Sequence, residues 1–411
     1  MSLSLIGKSI SESATLKLNE IAAILRAKGE PIIHLGGGEP KSKAPMDAIL
    51  AASALLNSAE VRYTPADGIP ALKQAIIRYT EDFYNRKVSP LNVIASSGAK
   101  QSIMVALQAI LNPQEEVIYP APYWVSYPEM VKLCGGIPVP VLAEDGSFYP
   151  TLRDIEQYVT SYTKVVIINS PNNPTGAMYS EEFISDIVQF CEKRGLWLIM
   201  DDIYHRLIFD GKKPINCYNY ATDTSENSKL IVINGVSKQY AMTGFRIGWA
   251  VGNKKLIECM TNIQAHQTSG PSVVVQTAAV GAINGVQSSV ENLRLTLENN
   301  RNVMMQELNA FDGVRATKPD GTFYCFADFR AHSQRFGNNP TKLAHYLLDK
   351  VRVATVPGNE FGMKDGCYLR LSTCGSTKDI TDGIERIKWA LDPNSPNELY
   401  IGDRKLVRDW L

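Results

Sequence analysis

The chain has 411 residues, 45% of them hydrophobic, and balances 42 Lys and Arg against 42 Asp and Glu. That length buries a large core and exceeds a single compact unit, while the neutral balance offers no basic field to gather nucleic acid. No apolar run reaches the roughly 18 to 20 residues that span a bilayer, so no membrane segment is expected.

Residues 1–8 lack the basic and long apolar regions of a secretory signal, and a cytoplasmic location is expected. The seven cysteines are scattered and never spaced as CxxC, which predicts reduced core thiols; the five histidines include no HxxxH pair, and no metal site is predicted. Residues 13–29 read as an amphipathic helix: Leu18, Ile21 and Leu25 share a face, Ser13 or Thr15 can cap it, and Gly29 can end it. Strand-length apolar runs follow at 93–95, 116–119, 164–169, 196–200, 230–233 and 247–251, with helix-like segments such as 180–194 between them. The runs at 116, 164, 196 and 230 are mostly apolar without alternation, as in strands covered on both faces. Helical crossovers then predict a largely parallel sheet, and ligands of such sheets sit beyond the carboxyl ends of the strands. Ser97-Gly98, Pro122-Tyr123-Trp124, Asn172-Asn173, Asp201-Asp202 and Lys238 fall there.

From about Gln287 onward, a long helix (290–311), short strands (323–326 and 368–371) and a further helix (380–391) predict a smaller α+β unit. The expected division is an N-terminal segment 1–44 packing with the small domain, a large domain 45–288, a small domain 289–392, and a tail 393–411 with no assigned role.

The run Ile231 to Lys238 leads a core strand into a lysine, and Arg246 follows eight residues later. A lysine at such a strand end is costly unless its amine is neutralised, paired or covalently occupied. A desolvated amine is also what forms a Schiff base with an aldehyde. Alone, such a lysine reads more simply as one reaching solvent. Taken alone, Asp201 reads equally as a helix N-cap, while Asn173 reads as a turn residue and Trp124 more simply as a core anchor.

Eight motifs, taken in order, change the balance. They are Gly37-Gly38-Glu39-Pro40, Tyr63-Thr64-Pro65-Ala66-Asp67-Gly68-Ile69-Pro70, Ser97-Gly98-Ala99-Lys100-Gln101, Pro122-Tyr123-Trp124-Val125-Ser126-Tyr127-Pro128-Glu129, Asn172-Asn173-Pro174-Thr175-Gly176, Asp201-Asp202-Ile203-Tyr204, the run from Ser237-Lys238 to Gly248, and Tyr368-Leu369-Arg370-Leu371-Ser372. Over residues 13–387 the chain thereby resembles the class I pyridoxal-phosphate-dependent aminotransferases of fold type I, in particular the prokaryotic-type aspartate aminotransferases. The resemblance implies an α/β fold, with a large cofactor-binding domain built on a mostly parallel sheet flanked by helices and a smaller α+β domain. It further implies pyridoxal 5'-phosphate as cofactor, amino-acid and 2-oxo-acid substrates, and a homodimer with shared active sites.

Residue by residue, the resemblance implies that Lys238 carries the cofactor, Asp201 faces its pyridine nitrogen, and Tyr204 and Asn173 bond its phenolic oxygen. Gly98, Ala99, Lys100, Ser237 and Arg246 would surround the phosphate, with Tyr63 reaching it from the neighbouring subunit, and Trp124 would stack on the ring. Gly235 stands where many relatives have a serine, and Ser237 is the candidate to compensate. Arg370 and Gly38 would bind the substrate α-carboxylate, beside Trp124 and Asn173, and Lys100, helped by Thr15 in Ser13-Ala14-Thr15, the distal carboxylate of an acidic substrate. His34 and His205 match no role and read as structural. Alternatives are an aromatic amino acid or prephenate aminotransferase, a lyase or synthase of the same fold type, and a non-catalytic homologue, against which the joint presence of Lys238, Asp201, Tyr204, Arg246 and Arg370 argues.

Overall fold

A computed structural model describes residues 3–12, 14–223, 226–401 and 404–407. Its central sheet has seven strands: β1 (Val93–Ser96), β2 (Glu116–Ala121), β3 (Ile137–Leu142), β4 (Thr163–Asn169), β5 (Trp197–Asp201), β6 (Leu230–Gly235) and β7 (Gly248–Val251). Their spatial order is β1-β7-β6-β5-β4-β2-β3. β7 runs antiparallel to both neighbours, and every other pairing is parallel.

The absence of alternation in the interior strands has a direct cause, because both faces are covered. Val166 and Ile168 of β4 join one apolar cluster with Phe183, Ile187 and Cys191 from the helix Glu181–Arg194. Val165 and Ile167, pointing the other way, join a second cluster with Ile103, Leu107 and Ile110 from the helix Ala99–Ile110. β3 is a strand that the apolar runs do not announce. Pro138 and Pro140 interrupt it, and it survives because it lies at the sheet edge, where a missing N–H is tolerated.

A second sheet has four antiparallel strands in the order Val356–Pro357, Tyr368–Ser372, Tyr324–Asp328, Arg315–Ala316. One apolar cluster unites it with residues from the helices Ser288–Asn309, Pro340–Val351 and Thr377–Leu391, and Ile33 and Leu35 enter that cluster from the N-terminal side. Ile33–His34 pairs parallel with Val353–Ala354. The helix Ala14–Ala27 packs Leu18, Ile21 and Leu25 against Ile32, Leu348 and Ala354, and Gly29 follows it at φ 80°. Of its two candidate caps, Ser13 and the side chain of Thr15 lie outside the described residues.

The tail forms a hairpin, Glu398–Ile401 with Arg404–Val407. Leu399 and Leu406 pack on the small-sheet cluster, and Trp389 Nε1 donates to the Pro396 carbonyl at 2.7 Å. Among the described residues, no helix is long and apolar enough to cross a membrane.

Candidate active site

Parallel β2, β4, β5 and β6 present their carboxyl ends on one side of the sheet, and there a cavity of about 430 Å³ opens. Gly38, Ala99, Lys100, Trp124, Asn173, Asp201, Tyr204, Ser237, Lys238, Arg246 and Arg370 all line it. A second cleft of about 470 Å³, beside the helix Glu181–Arg194, contains none of these groups. Tyr63 does not reach the cavity of its own chain; its side chain is 96% exposed.

Lys238 lies three residues beyond the end of β6, with its Nζ donating to the Gly38 carbonyl at 2.7 Å and standing 5.5 Å from the Phe323 ring centre. Burial brings its ammonium down to about 8, with the guanidinium groups of Arg370 and Arg246 adding to the effect. An amine whose pKa is brought down toward physiological pH has a ready neutral fraction to act as a nucleophile or a base.

Asp201 is the last residue of β5, which excludes the helix-cap reading: the strand runs through it into a turn. Tyr127 donates to its Oδ2 at 2.6 Å, while its Oδ1 is buried with no hydrogen-bond partner. Burial pushes the carboxyl up to about 6, against the pull of the Tyr127 hydroxyl. Asp202 does not line the cavity. It accepts from the Tyr84 hydroxyl at 2.8 Å and belongs to a buried polar network with Asn234, His205, Tyr79 and Gln239. His205 is thus a bonded core histidine. His34 accepts from Gly36 N at 3.1 Å through Nδ1, and its buried Nε2 has no partner.

The Asn172-Asn173 pair divides its work. Asn172 Oδ1 closes the turn by accepting from Thr175 Oγ1 at 2.9 Å. Asn173 Oδ1 accepts from Arg370 Nη1 at 2.9 Å, which leaves its Nδ2 as a donor. Arg370 is only 2% exposed; its Nη2 donates to the Gly36 carbonyl at 2.9 Å, its charge lies 4.1 Å from the Tyr324 ring centre, and its Nε has no partner. A buried guanidinium with a spare N–H in a cavity is a receptor for a carboxylate.

Gly98 precedes the helix Ala99–Ile110 at φ 90°, with no side chain capping the helix N-terminus. A Cβ on Gly98 would meet Arg246 Nη2 at 2.6 Å, so glycine is what lets the guanidinium lie against the helix start. A cation beside free helix N–H groups makes an anion site, well suited to phosphate. Lys100 is exposed at the cavity mouth, its Nζ 4.9 Å from the Trp124 ring centre; partial desolvation and then Arg246 lower its pKa. At position 235 a Cβ would meet the Ile247 carbonyl oxygen at 2.9 Å and Gly248 Cα at 3.0 Å, so a serine has no room there. Ser237, buried and lining the cavity, is the hydroxyl this chain offers instead.

Sequence reasoning assigned no role to Tyr324, Glu39, Asn169 or Thr243, all of which line the cavity. Tyr324 packs its ring edge-to-face against Tyr204, 6.1 Å between centres, and supports the Arg370 guanidinium, yet in the run Phe323-Tyr324-Cys325-Phe326 it reads as core. Glu39, which accepts from Thr243 Oγ1, stands in the Gly37-to-Pro40 motif with no mark of a function of its own. Among the described residues no group of three His, Cys, Asp or Glu side chains is placed to hold a metal ion.

A mixed sheet covered on both faces, with a buried lysine of lowered pKa, an anion cradle and a buried arginine at its strand ends, defines an enzyme that works on amines and carboxylates. The chain belongs to the family of class I and II aminotransferases, whose profile it matches over residues 30–387. It is 38% identical over 381 residues to the aspartate aminotransferase of Geobacillus stearothermophilus, covering 92% of this chain and 96% of that one. It is 35% identical over 386 residues to a probable aspartate/prephenate aminotransferase of Aquifex aeolicus, covering 93% and 97%. The structure superposes on the Rhizobium meliloti aspartate aminotransferase with a TM-score of 0.87 at 33% identity, covering 95% and 99% of the two chains. On the Thermus thermophilus aspartate aminotransferase with maleate it gives 0.87 at 32% identity, covering 94% and 99%. The protein is an aminotransferase with the fold type I α/β architecture.

Proposed function

We propose that this aminotransferase moves the amino group of an acidic L-amino acid, aspartate foremost, to a 2-oxo acid such as 2-oxoglutarate, using pyridoxal 5'-phosphate. The observation that carries the reading is the charge of the cavity. Four cations line it, Lys100, Lys238, Arg246 and Arg370, against the two carboxylates Asp201 and Glu39. With Arg246 given to a phosphate and Lys238 to the covalent bond, Arg370 and Lys100 remain, and a substrate with two carboxylates matches two cations. The maleate of the Thermus structure, itself a dicarboxylate, supports the same assignment.

The residues present fit the cofactor. The unpartnered Oδ1 of Asp201 is a buried acceptor suited to a protonated ring nitrogen. Arg246 and the uncapped helix start at Gly98, Ala99 and Lys100 would hold the phosphate with Ser237. Lys238 would hold the group through Nζ, Tyr204 and Asn173 would bond its phenolic oxygen, and Trp124 would cover one ring face. When bound, the cofactor supplies an aldehyde for amine exchange and a ring that accepts electrons as the α-proton leaves.

The chain's own groups do the rest. Arg370, aided by the Gly38 backbone, would orient the substrate by its α-carboxylate, and Lys100 would select the distal one; the side chain of Thr15, its expected helper, lies outside the described residues. Once its amine is free, Lys238, neutral above about pH 8, would take the proton from the substrate's α-carbon on Nζ and give it up again to complete the transfer. Asp201 keeps a proton on the ring nitrogen.

The same reading includes a cytoplasmic homodimer in which the exposed Tyr63 reaches the phosphate across the interface. Seven free cysteines support the reducing compartment. Two separate apolar clusters support a large and a small domain, with Ile33 and Leu35 of the N-terminal segment and Leu399 and Leu406 of the tail packed on the smaller one. A second reading, prephenate or an aromatic amino acid, is favoured by the name of the Aquifex relative. A panel of amino donors against 2-oxoglutarate decides between them. Turnover highest with aspartate or glutamate is expected, and turnover highest with aromatic donors or with prephenate as acceptor overturns the acidic assignment.

A further inference from the structure

We infer that Tyr127 is a positioning residue for the reaction: its hydroxyl holds the Asp201 carboxylate by Oδ2 while its ring edge braces Trp124, so that Oδ1 and the indole face are set together. The inference rests on the reading of Asp201 as the partner of the cofactor's ring nitrogen.

Tyr127 is 2% exposed and is the second residue of the helix Ser126–Leu133. Its hydroxyl donates to Asp201 Oδ2 at 2.6 Å, the short distance of a charge-assisted bond. Its ring lies 5.4 Å from that of Trp124 at 89°, an edge-to-face contact, and its N–H donates to the Trp124 carbonyl at 3.0 Å. An aspartate carboxyl rotates about a broad, soft torsion, so a bond to one oxygen is what fixes its plane. With Oδ2 occupied, Oδ1 is the oxygen presented for a ligand, and it is the one without a partner. Burial holds the phenol well above its usual range, so it acts as a donor throughout the working pH range. One side chain thus couples the group that would face the ring's nitrogen to the group that would cover the ring's face. A tyrosine serving only as core packing would lose nothing specific to the ring nitrogen when its hydroxyl is removed.

The test compares apoprotein of the wild type and of Tyr127→Phe for binding of two non-covalent ligands. These are pyridoxamine 5'-phosphate and its analogue with C–H in place of the ring nitrogen. Wild type is expected to prefer the pyridine ligand. Tyr127→Phe is expected to shrink that preference by about tenfold, with affinity for the carbocyclic analogue within about twofold of wild type, as loss of one charge-assisted bond implies. The analogue also reports that the variant's site is intact. An equal loss for both ligands, or an unchanged preference, overturns the inference. A wild type with no preference overturns instead the assignment of Asp201, and the inference with it.

Discussion

Replacing Lys100 by alanine tests how the enzyme chooses its substrate. A hydrogen bond to a charged group contributes roughly 1.5 to 3 kcal/mol. Lys100 is exposed at the cavity mouth, where solvent weakens ion pairs, so the lower end of that range applies. About 1.5 kcal/mol corresponds to roughly a tenfold loss in kcat/KM for aspartate and glutamate. Donors without a distal carboxylate have nothing to lose there and are expected to change by less than about threefold. Two neighbouring effects must be separated in the assay. Lys100 stands 4.9 Å from the Trp124 ring centre and is close enough to Arg246 for the two charges to interact, so the variant can also alter cofactor binding. Steady-state rates for aspartate, glutamate, phenylalanine and leucine are therefore measured at saturating cofactor, with the cofactor dissociation constant determined on the same preparation. Equal losses for acidic and neutral donors under those conditions refute the reasoning, and Lys100 would then belong to the phosphate site alone.

The amine of Lys238 is neutral above about pH 8, because burial lowers its pKa from the ordinary lysine value. The rate at which apoprotein attaches pyridoxal phosphate covalently should rise with pH through about 8 and fall below it; a stopped-flow profile with a midpoint above 10 contradicts this. Asp201→Ala should slow the half-reaction by more than the roughly ten- to hundredfold that loss of one charged hydrogen bond explains, since it also removes the ring nitrogen's counter-charge. Asp202→Ala should cost activity less and thermal stability more, because it leaves the Tyr84 hydroxyl without its acceptor; half-reaction rates in the opposite order would show the two carboxylates exchanged. Gly235→Ser should destabilise the fold by about 1 to 3 kcal/mol, because the new Cβ meets backbone at Ile247 and Gly248. A denaturant midpoint equal to that of wild type would show that β6 and β7 can yield there.

The interior of the sheet was legible because strands buried on both faces show no polar alternation, as in β2, β4, β5 and β6. β3 was not, since Pro138 and Pro140 argue against a strand until its place at the edge is known. The direction of β7 has no sequence mark at all: a four-residue apolar run reads the same both ways. In the site, strand ends announced Asp201, Asn173 and Lys238. That Asp201 faces the cavity and Asp202 the buried network follows from the alternation of a strand that continues one residue beyond its apolar run. Tyr324 stayed hidden because an aromatic residue amid apolar neighbours reads as core, and Tyr127, although inside the Pro122-to-Glu129 motif, carries no mark of its contact with Asp201, which only the position of its hydroxyl reveals. The lack of space at Gly235 likewise depends on how closely β6 approaches β7, a tertiary fact.

The most direct measurement on the account's central claim is borohydride reduction of the protein loaded with pyridoxal phosphate, followed by peptide mapping. The account predicts a single phosphopyridoxyl label on Lys238, lost in Lys238→Ala and suppressed when aspartate is added first without a 2-oxo acid. A label on Lys100 or another lysine, or no label on loaded protein, would contradict it.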